Sequence, residues 1–386
     1  MKKVIFIILS GAAGKPCRSL NNKTPLEYAK KPFIDSLFRK STNGLMNVVG
    51  LNITPLSSVA LFALLGYNPF KVPARGVIEA VGSGFDYSEG ELAVNCTLAR
   101  VKKGHRNMIN RPRLTQEQGL EAERLINEGI TLGRPFEFKY LKNDEGVLVI
   151  HDELPDRVTD TYPGFIRHRV GPDLMSLPDI KLKECKPLDS QSVETAELIN
   201  DFVKQSVEVL VNTGAPVNHV FTRGAGNSLP LLKSFDELND FTVTMISDSA
   251  LELGVAELLG MKVLSLTNDL PSLIMDSLTS SEGVFLRIKS PDLYGHLGDA
   301  AGKARRIEKI DKELFKPLIE MIDLSEHVLC VTSDHATPAC FGTHTNNPVP
   351  YLITSDVDNT GCFCESNVAN SFIEGRQLIN EIKRLA

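Results

Sequence analysis

Residues Val4 to Leu9 form one unbroken apolar run rich in β-branched side chains, and it stops abruptly at Ser10-Gly11-Ala12-Ala13-Gly14. A strand that is apolar on both faces must be covered on both, so the run belongs in the interior of a parallel sheet with a loop at its carboxyl end. Open α/β sheets carry their chemistry on such loops. Further runs of this kind are Val243 to Ile246, Val263 to Leu266, Val284 to Ile288 and Val328 to Thr332, each near a turn or a helix-like segment. The alternation predicts an α/β fold, a parallel sheet with helices on both faces. Covering helices are expected over Ala304 to Ile322 and Ser371 to Leu385, where apolar residues recur at helical spacing.

Between about Arg75 and Gly226 the texture changes to short alternating strands, such as Leu92 to Val101 and Phe136 to Tyr140, separated by charged loops. The expected organisation is a main domain over 1–75 and 227–386, with a smaller α+β domain, 76–226, inserted into it. A length of 386 residues with 42% hydrophobic content suits two cores. The net charge of -6 disfavours a nucleic-acid binder held by phosphate contacts and favours a small-molecule site. Seven cysteines without paired spacing give no disulfide framework, which fits a reducing cytoplasm. Lys2 and Lys3 before the apolar run imitate a short signal peptide, but the run ends too early. No segment approaches the ~20 apolar residues of a membrane-spanning helix. The expected protein is therefore soluble and cytoplasmic, with no nucleic-acid or membrane partner; a homo-oligomer stays open.

Candidate chemistry gathers in the last quarter of the chain. In Lys289-Ser290-Pro291-Asp292-Leu293-Tyr294-Gly295-His296, directly after an expected strand, Asp292 and His296 are four apart. On a helical turn that spacing puts an oxygen and a nitrogen ligand on one side, as a divalent ion requires. A second expected strand ends in Ser333-Asp334-His335-Ala336-Thr337-Pro338, and His344 follows in Gly342-Thr343-His344. One such segment alone reads equally well as a surface loop, whereas three beside strand ends or turns point to a metal centre.

These segments resemble the three carboxyl-terminal metal-binding motifs of the archaeal-type, cofactor-independent phosphoglycerate mutases of the alkaline phosphatase superfamily. The same family is similar to this chain at Asn43-Gly44-Leu45-Met46, Leu64-Leu65-Gly66-Tyr67-Asn68-Pro69 and Arg223-Gly224-Ala225-Gly226. The resemblance implies two neighbouring divalent metals, manganese or zinc, a serine nucleophile that becomes phosphorylated, and no 2,3-bisphosphoglycerate. Asp292, His296 and His344 would hold one metal, and Asp334 and His335 would contribute to the other. Ser57 falls at the nucleophile's position; read alone it could be a helix N-cap, and Ser58 is adjacent. Arg75, Arg169, Arg223 and Lys289 lie at or near motif positions that would hold a small phosphorylated substrate, although each could also be a solvated surface charge.

The pattern breaks at Ser10, where the family has an aspartate that ligates the nucleophile's metal. A neutral hydroxyl there weakens that site and leaves one or two ions per chain in question. The nucleophile's surroundings and the inserted domain's arginine loop, reduced to Asn110-Arg111-Pro112-Arg113, depart too. Interconversion of 3-phosphoglycerate and 2-phosphoglycerate is the leading expectation. A metal-dependent phosphohydrolase, a homoserine-kinase-like phosphotransferase and a non-catalytic relative are the alternatives. Asp35, Asp269 and Asp299 are carboxylates with no assigned role.

Overall fold

A computed structural model describes residues 1–102, 108–163, 165–166, 174–175, 182–212, 215–369 and 371–386. They group into two compact units, Met1–Phe70 with Lys233–Asp248 and Leu259–Ala386, and Lys71–Leu232 with Ser249–Leu258.

The first unit holds an eight-stranded sheet in the order Lys262–Leu264, Val243–Ile246, Gly283–Ile288, Lys3–Leu9, His327–Thr332, Val349–Asp358, Lys40–Asn47, Phe372–Glu374. The first five of these are mutually parallel. Val349–Asp358 is antiparallel to both its neighbours, and Phe372–Glu374 runs parallel to Lys40–Asn47. Lys3–Leu9 lies at the centre with Ile5, Ile7 and Ile8 fully buried, as its two-sided apolarity requires. In register, Ile8 stands between Arg287 and Thr332, so three adjacent strands end side by side at one rim.

Local reading departs from this sheet in four places. Lys40–Asn47 and Val349–Asp358 are strands that the apolar runs do not announce. The expected Val263 to Leu266 strand is an exposed edge, Lys262–Leu264. The single helix expected over Ala304 to Ile322 is three pieces, Ala300–Ile310, a wide π-helical turn Asp311–Phe315, and Lys316–Met321. Pro317, at the start of the last piece, lacks an N–H and clashes with a preceding carbonyl, a recognised cause of such breaks. Finally, the chain end spends Phe372–Glu374 on the sheet edge before the helix Gly375–Leu385 begins.

The second unit is built on an antiparallel sheet in the order Met108–Asn110, Glu91–Lys102, Glu145–Glu153, Phe136–Lys142, with His219–Gly226 also pairing Glu91–Lys102. Its core joins the sheet's Leu148 and Phe138 to Ala122 and Ile126 of the helix Gln116–Gly129 and Phe202 of the helix Val193–Asn212. The helix Ala250–Leu258 groups here, although sequence boundaries give 227–386 to the other domain. Gly82 and Gly254 explain the grouping: a Cβ at either would fall inside the backbone of the facing helix, so Arg75–Gly82 and Ala250–Leu258 pack unusually close. Among the described residues no helix is long and apolar enough to cross a membrane.

Candidate active site

One cluster at the rim is assembled by the short helix Ser290–His296 and the loop bearing His344. Pro291 in the first helical turn is preorganised for it, and the turn places Asp292 and His296 on one side. The Nε2 atoms of His296 and His344 lie 3.4 Å from Asp292 Oδ2 and 3.6 Å from Asp292 Oδ1. Two ligands each about 2.1 Å from a tetrahedral ion stand roughly 3.4 Å apart. The far side of each imidazole is fixed by the backbone: His296 Nδ1 donates to the Gly342 carbonyl and His344 Nδ1 to the Pro55 carbonyl, both at 3.0 Å. Both Nε2 lone pairs are thus turned inward, the orientation that protein metal sites impose on histidine. These three residues fit a divalent ion.

The neighbouring cluster is closed. Ser57, the first residue of the helix Ser57–Leu64, is not its N-cap; Leu56 is, and the Ser57 hydroxyl turns to the rim instead. There it accepts a hydrogen bond from Arg287 Nη2 at 2.7 Å and lies 3.4 Å from His335 Nε2. The same Nη2 is 2.9 Å from Ser10 Oγ and 2.8 Å from Asp334 Oδ2, while Arg287 Nε also donates to Oδ2 at 2.8 Å. Ser10 donates to that oxygen at 3.0 Å, and the Gly11 N–H donates to Asp334 Oδ1 at 3.1 Å. Burial opposes charge on Asp334, but the Arg287 guanidinium and the Gly11 amide keep it ionised. A second ion does not fit here, because a guanidinium nitrogen occupies the point on which Ser10, Ser57 and Asp334 converge.

Thr337 joins the two clusters. Its hydroxyl donates to Asp292 Oδ1 at 2.6 Å and so must accept from His335 Nδ1 at 2.9 Å. His335 Nε2 therefore carries the lone pair facing Ser57. Burial drives the His335 pKa down to about 3, so the ring is neutral. Gly11, at φ +59°, has to be glycine, since a Cβ there would stand 2.5 Å from Asp292 Oδ1. Beneath them Lys303, fully buried, donates to the carbonyls of Ala13 at 3.0 Å and Thr337 at 2.9 Å.

The structure thus gathers Asp292, His296, His344, Asp334, His335, Ser57 and Ser10 at one rim. Lys289 is exposed at the start of the helix Ser290–His296. Asp35, Asp269 and Asp299 are engaged elsewhere: Asp35 pairs with Lys31 at 3.0 Å, while Asp269 and Asp299 cap helices. Sequence reading missed Arg287, Thr337 and Lys303. The signal for Arg287 was present, since a charge inside the run Val284 to Ile288 is admitted to a sheet interior only with a partner.

In the second unit Arg75 and Arg223 belong to a buried polar network. Arg75 Nη2 lies 2.7 Å from Glu79 Oε1 and 3.0 Å from Glu145 Oε1, and Arg223 Nε donates to Asn95 Oδ1 at 2.7 Å. Burial and the like charge of Arg75 lower the Arg223 pKa to about 10, and burial raises that of Glu79. Arg169 lies outside the described residues.

Comparison with known proteins agrees with this architecture. Residues 39–218 match the family model described as 2,3-bisphosphoglycerate-independent phosphoglycerate mutase. The chain is 32% identical to the protein of that name from Methanopyrus kandleri, over 100% of this chain and 96% of the relative. It is 30% identical to 2,3-bisphosphoglycerate-independent phosphoglycerate mutase 1 of Archaeoglobus fulgidus, over 92% and 89%. A solved structure from Pyrococcus horikoshii superposes with a TM-score of 0.79 at 25% identity, covering 100% of this chain and 97% of that one. The cofactor-independent phosphoglycerate mutase from Thermoplasma acidophilum shares the fold, with a TM-score of 0.60 at 24% identity over 100% of both chains. Matched along its whole length at this identity, the chain belongs to the 2,3-bisphosphoglycerate-independent phosphoglycerate mutase family.

Proposed function

We propose that the protein interconverts 3-phosphoglycerate and 2-phosphoglycerate through a phosphoserine at Ser57. The observation that carries this reading is the Ser57 hydroxyl itself, held between Arg287 Nη2 at 2.7 Å and His335 Nε2 at 3.4 Å. Membership of the family named for this reaction supports it, and with that name no 2,3-bisphosphoglycerate is required. In the first half-reaction the phosphorus–oxygen bond of the substrate breaks as a bond to Ser57 Oγ forms. The Ser57 proton passes to the His335 Nε2 lone pair and on to the freed glycerate oxygen. In the second half the other glycerate hydroxyl takes the phosphoryl group back, and Ser57 recovers its proton. Arg287 stabilises the charge that develops on Oγ. A divalent ion, manganese or zinc, at Asp292, His296 and His344 would supply Lewis-acid charge for the phosphoryl oxygens. Arg223, Arg75, Arg169 and Lys289 are assigned to the substrate's two anionic ends, with Arg75 the most committed to protein carboxylates.

The test is incubation of the protein with 3-phosphoglycerate and manganese. 2-Phosphoglycerate is expected, falling to background with Ser57→Ala. Release of inorganic phosphate alone would make the protein a phosphohydrolase, and no product from the unaltered chain would make it a non-catalytic relative.

A further inference from the structure

We infer that this chain carries one divalent ion, at Asp292, His296 and His344, and that Arg287 supplies the second cation of the site from the protein itself. The inference rests on the reading of Ser57 as the group to which that cation is presented, but not on turnover of any particular substrate.

The geometry leaves one position for a cation among Ser10, Ser57 and Asp334, and Arg287 fills it. A single nitrogen, Nη2, stands 2.9 Å from Ser10 Oγ, 2.7 Å from Ser57 Oγ and 2.8 Å from Asp334 Oδ2. An ion bound to the same oxygens would sit roughly 2.0–2.2 Å from each, inside the volume of that nitrogen. The remaining ligand set is also small. Asp334 Oδ2 accepts from Arg287 Nε and the Ser10 hydroxyl and lies 2.8 Å from Arg287 Nη2, while Oδ1 accepts from the Gly11 amide. His335 Nε2, 3.4 Å from Asp334 Oδ1, adds one neutral nitrogen to a single carboxylate already paired with Arg287, fewer than the three protein ligands that hold a divalent ion.

The charges support a paired exchange rather than decay. The family pattern sets a doubly charged ion against two carboxylates, which sums to zero; here a singly charged guanidinium faces the one carboxylate of Asp334, which again sums to zero. Ser10 and Arg287 are then two halves of one change: removing a carboxylate and replacing an ion by an arginine keep the buried site neutral. The guanidinium keeps its charge throughout the physiological pH range and does not exchange with the medium. Arg287 thereby acts directly on Ser57 Oγ as a fixed hydrogen-bond donor, and the Ser57 half of the site is independent of metal supply.

Ion counting tests this without an activity assay. The unaltered protein is loaded with excess manganese(II) or zinc(II), desalted and analysed for metal; one ion per chain is expected, and none or two overturns the inference. Ser10→Asp alone should still bind one, because Arg287 keeps its place, and two would overturn it. Ser10→Asp with Arg287→Ala should bind two, with a thermal midpoint that rises as manganese is added beyond one equivalent. A folded double variant that stays at one ion would show that Arg287 is not what excludes the second; if that variant does not fold, the first two counts decide. A protein that holds one ion yet makes no 2-phosphoglycerate would sink the proposed reaction and leave this inference standing.

Discussion

The two clusters at the rim of the first unit solve the same electrostatic problem in opposite ways. Asp292, His296 and His344 bring their ligand atoms within 4.8 Å of one another, and their side chains are 20%, 36% and 8% exposed. Asp334 and His335 are fully buried, and Arg287, with a side chain only 3% exposed, fills the convergence point. An accessible set of ligands can take its cation from solution and lose it again. A closed set has to bring its cation along when it folds, because an unpaired buried carboxylate is costly. Thr337, bonded to both Asp292 and His335, and the stacked rings of His335 and His344, 3.6 Å apart, join one cluster to the other.

The sharpest way to break this contrast is to neutralise one carboxylate in each cluster. Asp292→Asn should lose the ion and lower turnover by at least about 10³-fold, since several kcal/mol of charge stabilisation go with it. Its stability deficit in urea should be larger with manganese present than in chelator, because only the folded protein binds the ion. Asp334→Asn strips Arg287 of its buried counter-charge and should cost about 3–5 kcal/mol. That loss should be the same with manganese and in chelator. A deficit that shrinks in chelator would mean that Asp334 answers to an ion from solution and that the two clusters do not differ.

Much of the first cluster was legible in the sequence because its signal is local. Asp292 and His296 are one helical turn apart, behind a proline that opens the turn, and the strand before them is a plain apolar run. The second cluster is assembled across distances that local reading does not span, with Ser10 and Asp334 separated by 324 residues and Arg287 and Ser57 by 230. Ser10 therefore looked like a loss, and its compensation by Arg287 was hidden inside a segment read only for its apolarity. The missed strands share this cause. Lys40–Asn47 is polar, with the burial of a strand whose partners come from residues 349–358 and 372–374, and pairing partners so remote leave no periodic trace. The arginines of the second unit are legible by residue type alone, whereas the ion pairs of Arg75 with Glu79 and Glu145 depend on a fold that composition cannot reveal.

A smaller effect sharpens the comparison through the residue beneath both clusters. Lys303 Nζ bonds the carbonyls of Ala13, on the loop after Ser10, and of Thr337, on the loop after Asp334. Burial lowers its pKa to about 8, whereas in an unfolded chain it titrates near about 10.4. Between those two values the unfolded state binds more protons than the folded one, so this lysine's contribution to stability increases as pH rises through the window. The slope from one group is at most about 1.4 kcal/mol per pH unit. The buried thiols of Cys96 and Cys330, raised by desolvation, act in the opposite direction above their unfolded pKa. They are common to wild type and Lys303→Met, so the difference between the two proteins isolates the lysine. The methionine keeps the apolar stem and loses both hydrogen bonds, and its deficit in urea unfolding should widen from pH 8 to pH 10, where the wild type no longer carries the cost of a buried charge. A deficit independent of pH would mean that Lys303 stays charged in the fold, and that the loops of both clusters rest on a third buried cation rather than on a neutral amine.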